Sequence, residues 1–298
     1  MRVAVVDVGS NTARLLVAEV SADGRVRTID ELREHLGLGA EIARTGALSE
    51  ATVARVADTC RGYAKRARRL GVERAEAVVT APGRQGRDPR RLVAALATAT
   101  KMPVRVLSPD QEGRLAYEGA IARAQGELPE VVAAVDVGGG STEIVVGTPL
   151  LGAAWIRSID LGSLRLTGAM LADDPPRPGA IEAARQAVRA AFVSTMPPAA
   201  DVALATGGSA RAVAKIVGRT FGPHELDEVV ERFSRRPAAK VGRGLGLDPP
   251  RARTIVAGAL LLAATSRALG VPLELAHGGL REGAALALAS RPVTSLAA

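Results

Sequence analysis

A chain of 298 residues exceeds the usual size of one domain and favours two domains of about 150 residues each. Lys plus Arg number 39 against 31 Asp plus Glu, a net charge of +8 that suits a polyanionic substrate, while one Trp, two Tyr and three Phe leave little to stack on bases and argue against nucleic acid. Cys60 is the single cysteine, which excludes an internal disulfide and a thiolate zinc site and fits a reducing, cytoplasmic compartment.

The segment after Met1 and Arg2 is apolar for only four residues before Asp7, so it reads as a strand and not as a signal peptide. It continues as Asp7-Val8-Gly9-Ser10-Asn11-Thr12-Ala13-Arg14-Leu15-Leu16-Val17, a glycine turn followed by a returning strand. Arg25 to Ile29 forms a third strand. Glu31 to Gly46 is dotted with glycine and has a basic centre at Arg33 and His35; a lone His has no role assigned here. Ser49 caps a helix whose apolar positions Val53, Val56, Ala57, Cys60, Ala64, Ala67 and Leu70 keep helical spacing up to Gly71. Its other face carries Arg61, Lys65, Arg66, Arg68 and Arg69, either a solvated surface or a guide for a polyanion.

Ala75 to Thr80 is a strand, and the loop Ala81 to Arg87 leaves the end where open α/β folds place ligands. Asp88 and Pro89 start the next helix. After a strand at Val104 to Leu107, Ser108-Pro109-Asp110-Gln111 spells a capping box, which places Glu112 in the first turn of a helix. Gln125 to Pro129 marks a domain boundary, giving domains 1–125 and 126–298.

Val131 to Val146 then repeats the opening design. Aligning Asp136 with Asp7 puts Val137 on Val8, Gly138 on Gly9 and Val146 on Val17 without a gap. Gly138, Gly139 and Gly140 let backbone N–H groups crowd around an anion, and Ser141 and Thr142 add hydroxyl donors. Asp136 and Glu143 flank this turn, where acids can hold a hard cation such as Mg²⁺ or Mn²⁺ beside a phosphate. Asp7 is a weaker ligand of the same kind. Ala153 to Ile159 and Asp201 to Thr206 are further strands; the second runs into Gly207-Gly208-Ser209 and a helix holding Arg211, a phosphate-site geometry. Arg235, Arg236, Lys240 and Arg243 form a basic cluster on a segment read as loop-rich. Arg251 to Ala268 reads as a core helix, and its longest apolar run, Ile255 to Thr265, is too short to cross a bilayer. Leu273 to Ala276 and a helix from Leu280 close the chain. Strands alternating with helices give an α/β fold with a duplicated mixed sheet.

Two Asp-x-Gly hairpins and a third Gly-Gly turn resemble the actin-like phosphotransferase superfamily, and more closely its exopolyphosphatase/guanosine pentaphosphatase (Ppx/GppA) family. Asp7 to Arg14 looks like the first phosphate motif of that family and Asp136 to Glu143 like the second. Glu112-Gly-Arg-Leu-Ala-Tyr-Glu-Gly119 resembles the segment whose first Glu is taken as the catalytic base, and Thr206 to Arg211 and Gly278 to Gly283 resemble its later turns. The sequence departs at Gly113, where the family has Ala, and around Arg84, which Pro82, Gly83 and Gly86 surround.

The resemblance implies two actin-like (ribonuclease H-like) domains with the active site in the cleft between them, in the family's short form. It implies Glu112 as catalytic base and phosphate contacts from Gly9, Ser10, Asn11, Thr12, Arg14, Arg84, Gly138, Gly139, Gly140, Ser141, Thr142, Gly207, Gly208 and Ser209. Inorganic polyphosphate or guanosine pentaphosphate is the expected substrate, with neither nucleic acid nor membrane as partner; a homodimer is compatible with the sequence.

Overall fold

The computed structural model describes residues 1–291. The chain opens with β1 (Arg2–Val8), β2 (Thr12–Val20) and β3 (Val26–His35), followed by α1 (Leu38–Thr45), α2 (Glu50–Arg69), β4 (Arg74–Val79), α3 (Pro82–Gln85), α4 (Pro89–Thr100), β5 (Val104–Val106) and α5 (Pro109–Ala122). These strands form one sheet in the order β3-β2-β1-β4-β5. The apolar runs in β1 and β2 are buried on both faces, as continuous Val/Leu/Ala sequences require.

The second half builds β6 (Val132–Val137), β7 (Thr142–Thr148), β8 (Gly152–Ile159), α6 (Ser163–Met170), α7 (Pro178–Phe192), β9 (Val202–Thr206), α8 (Gly207–Val217), β10 (Thr220–Phe221), α9 (Pro223–Ser234), α10 (Ala238–Leu245), α11 (Pro249–Arg253), α12 (Ile255–Leu269), β11 (Leu273–Leu275) and α13 (Leu280–Ser290). Its sheet runs β10-β11-β9-β6-β7-β8. Apart from the short β10, this is the first sheet over again: an antiparallel hairpin pair on one side of a parallel core strand.

The duplication extends to register. Asp7 pairs with Arg14 across β1 and β2, and Asp136 pairs with Glu143 across β6 and β7. The turns match too, with Gly9 N donating to Thr12 O and Gly138 N to Ser141 O, both at 3.0 Å.

The first sheet lies within residues 1–125 and the second within 126–298, but two helices tie the halves together. Leu280, Ala284, Ala285 and Leu288 of α13 pack with Val3, Val5, Leu16 and Val78 of the first sheet. Tyr117 and Ala120 of α5 pack instead with Val132, Ala134, Val145 and Leu204 of the second. The two helices meet backbone to backbone: a Cβ on Gly119 would lie 1.9 Å from the Gly279 carbonyl oxygen. Only glycine permits that approach.

Three local readings change. β3 runs on to His35 where the sequence reads as irregular, because this edge strand pairs with β2 throughout while exposing charged side chains that hide the alternation. The basic segment is helical from Ala238 on, while Arg235 and Arg236 lie in the turn between α9 and α10; the prolines sit at helix starts, Pro237 capping α10 and Pro249 opening α11. The long helix expected from Arg251 is divided at Thr254 into α11 and α12. No helix among the described residues is long and apolar enough to cross a membrane.

Candidate active site

The two glycine turns face each other across the cleft between the sheets. A Cβ on Gly140 would come within 2.7 Å of Ser10 Oγ and 2.9 Å of Ala81 Cβ, so the backbone of the second turn can reach the first only because it is bare. Between them opens a cavity of about 460 Å³. Asp7, Gly9, Ser10, Asn11, Thr12 and Arg14 line it from one side, and Asp136, Gly138, Gly139, Gly140 and Ser141 from the other. Gly207 and Gly208 at the start of α8 close the end, with the positive end of that helix dipole turned to the cavity.

Glu112 also lines the cavity. The capping box that places it is present: Gln111 N donates to Ser108 Oγ at 3.2 Å and Ser108 N donates to Gln111 Oε1 at 3.0 Å. Four residues assigned to the site by sequence lie outside the cavity wall. Thr142 Oγ1 donates to the Leu161 carbonyl, Ser209 Oγ accepts from Arg251, and Glu143 Oε1 accepts from Ser158 at 2.8 Å. Arg84 is the most altered. It sits on the short helix α3, donates to the Leu107 carbonyl at 2.7 Å and ion-pairs with Glu112 at 2.9 Å. Its cation is spent on the carboxylate, not presented to the cavity.

Sequence reasoning missed much of the cationic wall. Arg33, Arg211, Lys215 and Arg251 line the cavity, joined by Thr80 and Asp248. Arg211 was legible, since it stands one helical turn beyond Gly207. Arg33 and Asp248 were not: they ion-pair across 215 residues of sequence.

The electrostatics set acids against cations at close quarters. Burial raises the Asp7 carboxyl to about 6, with Arg281 and Arg14 pulling it back. Glu112 is raised to about 7 by burial against the lowering effect of Arg84, with Asp136 and Asp7 adding to the rise. Asp136 is raised by burial, and Glu143 is raised well above the usual range by burial and by its neighbours Glu112 and Asp136. Arg14 is lowered to about 10 by burial and by Arg281 and Arg211. Concentrated negative charge of this kind fits a divalent cation, and Asp7 Oδ1 is a buried oxygen without a partner. Among the described residues, no group of three or more His, Cys, Asp or Glu forms a direct ligand cage.

Residues 16–291 match the profile described as the Ppx/GppA phosphatase family. The chain belongs to that family. It is accordingly a hydrolase acting on phosphoanhydride bonds. Among its relatives, exopolyphosphatase 1 of Mycobacterium tuberculosis is 28% identical over 300 residues, covering 95% of this chain and 87% of that protein. Exopolyphosphatase 2 of the same organism is 32% identical over 197 residues, covering 63% of this chain and 60% of that one. The crystal structure of the Aquifex aeolicus Ppx/GppA family member superposes with a TM-score of 0.82 at 26% identity, covering 96% of this chain and 97% of the other. The fold is the two-domain actin-like fold of that family.

Proposed function

We propose that this Ppx/GppA phosphatase removes the terminal phosphate from inorganic polyphosphate, with water as nucleophile and Mg²⁺ or Mn²⁺ as cofactor. One observation carries the reading. Arg14 and Arg211 stand on the wall of the cavity beside the glycine turns, and neither forms an ion pair with any described acid, although acids crowd the site. Partly buried guanidinium groups crowded by other cations favour an anion to answer them, and a phosphate chain supplies one.

In this reading the N–H groups of both turns and of the α8 start hold the terminal phosphate, and Arg14 and Arg211 neutralise its oxygens. Arg33, Lys215 and Arg251 receive the following phosphates. Asp136 and Asp7 hold the cation directly or through water, with Glu143 behind them; when bound, the cation offsets charge on the transferred group. Glu112, held by Arg84 and close to neutrality in its protonation, accepts the proton of the attacking water.

Guanosine pentaphosphate ends in the same phosphoanhydride and would use the same groups. Among the described residues that line the cavity there is no Phe, Tyr or Trp to stack on a guanine base, which favours the bare chain. Phosphate release from long polyphosphate, tripolyphosphate and guanosine pentaphosphate, each with and without Mg²⁺, is the test. Expected is Mg²⁺-dependent release with the highest kcat/KM on polyphosphate; turnover of guanosine pentaphosphate alone would overturn the proposal.

A further inference from the structure

Behind the phosphate cavity lies a smaller one of about 50 Å³. Asp7, Arg14, Asp136 and Arg211 belong to the walls of both, whereas Arg281 and Glu282 face only the inner one. Arg281 opens the final helix, α13, and is only 7% exposed. It reaches Glu31 of β3 at 2.9 Å and lies 3.9 Å from Glu282, which is itself committed to the Gly279 N–H at 2.9 Å.

The placement solves a conflict built into the hairpin. Asp7 and Arg14 are direct cross-strand partners. The nearest way to neutralise the acid is for Arg14 to turn inward onto it, away from any anion in the outer cavity. Arg281 puts a positive charge on the inner side of the same wall. It balances Asp7 from behind, and like-charge repulsion at low dielectric disfavours an inward turn of either Arg14 or Arg211. Arg14 Nε indeed has no protein partner. We propose that Arg281 is a positioning residue that keeps the Arg14 and Arg211 guanidinium groups presented to the substrate phosphate. The proposal rests on the phosphohydrolase reading for the identity of the anion, but its test needs no turnover.

The experiment is calorimetric binding of inorganic tripolyphosphate to the full chain without divalent cation, combined in a cycle. Arg281→Gln should weaken binding about 10–100-fold, the size of a lost charge-assisted hydrogen bond. In an Arg14→Gln/Arg211→Gln background the same change should cost less than about threefold, because the groups it positions are gone. Equal losses in the two backgrounds would make Arg281 a general source of positive field and overturn the proposal, as would a folded Arg281→Gln protein with undiminished affinity. Should that variant not fold, Glu31→Gln frees Arg281 from its ion pair at a partly exposed site. It should weaken binding in the native background only; unchanged affinity overturns the idea. A wild-type protein that binds tripolyphosphate yet releases no phosphate would sink the functional reading and leave this cycle decisive, whereas failure to bind would sink both.

Discussion

Arg14 and Glu143 occupy the same register position in the two hairpins, one facing Asp7 and the other facing Asp136. The duplication therefore kept the geometry and reversed the charge, so that one turn presents a cation to the cleft and the other backs its lead acid with a second acid. In the proposed mechanism Arg14 of the first hairpin would meet phosphate, while Asp136 of the second, with Asp7, would hold the cation. Asp136→Asn should raise the Mg²⁺ concentration needed for half-maximal activity. Glu143→Gln should raise it less, because its carboxylate is held by Ser158 outside the cavity wall. A Mg²⁺ titration of phosphate release checks both, and unchanged half-saturation in the Asp136 variant would remove the metal from this hairpin.

Glu112→Gln keeps the size of the side chain and removes the base. Turnover should fall about 10²–10⁴-fold while substrate binding survives. The wild-type kcat/KM should rise as pH passes through about 7, where this carboxyl ionises, and that rise should be missing in the variant. A purely structural carboxylate at a helix start would give near-normal turnover and a slightly lower Tm.

The acids also make stability depend on pH. Asp7 and Glu112 titrate in the folded protein at about 6 and about 7, above their ordinary values of 3.8 and 4.5. Raised carboxyls bind protons more tightly in the folded state, so their contribution is full below the ordinary values and is lost as pH climbs through 6 and 7. Tm without divalent cation should decline between about pH 5 and 8, and Mg²⁺ should recover more of it at pH 8 than at pH 5. Thermal melts in chelator and in Mg²⁺ measure this; a Tm that rises across the window would contradict the arrangement of charges.

Much of this was readable in the sequence because it depends on local pattern. Continuous Val and Ala runs ending in Asp-x-Gly announce buried strands and a bare turn, and the gapless match of Asp7 with Asp136 announces the second sheet. Ser108 to Gln111 fixes the start of α5 within four residues. What failed to show was tertiary. Arg84 sits beside Glu112 only because α3 folds under β5, and Arg281 reaches the site only because α13 crosses to the first sheet. No spacing rule connects residues so far apart.

The basic helix faces give a salt-dependent expectation. On α2, Arg61 and Arg66 are paired with Asp58 and Asp30, which leaves Lys65, Arg68 and Arg69 with no ion pair among the described residues, Arg68 donating to the Thr100 carbonyl. On the second half, Arg235 is paired with Glu231, while Arg236, Lys240 and Arg243 are not paired with a described acid. If these cations hold the polyphosphate tail, affinity for long chains should fall more steeply with salt than affinity for tripolyphosphate, since such contacts are screened over about 8 Å at physiological ionic strength. Binding isotherms across a salt series decide it; equal slopes would assign both faces to solvent.

Gly119→Ala tests how the base is registered against the turns. Gly119 lies on α5 seven residues beyond Glu112, with Gly279 directly opposite at the start of α13. One methyl group would need to occupy space 1.9 Å from the Gly279 oxygen and 2.6 Å from the Gly283 nitrogen, both backbone atoms that no rotamer change can clear. The helices must move apart, at a cost of about 1–3 kcal/mol for overpacking a close contact. Because Glu112 rides on one helix and Arg281 on the other, the shift should appear in chemistry as well as in stability. The variant should lose kcat beyond what its lower Tm explains, measured well below the melting transition. An alanine variant that melts earlier but turns over at the native rate would show that the α5–α13 crossing braces the domains without setting the geometry of the base.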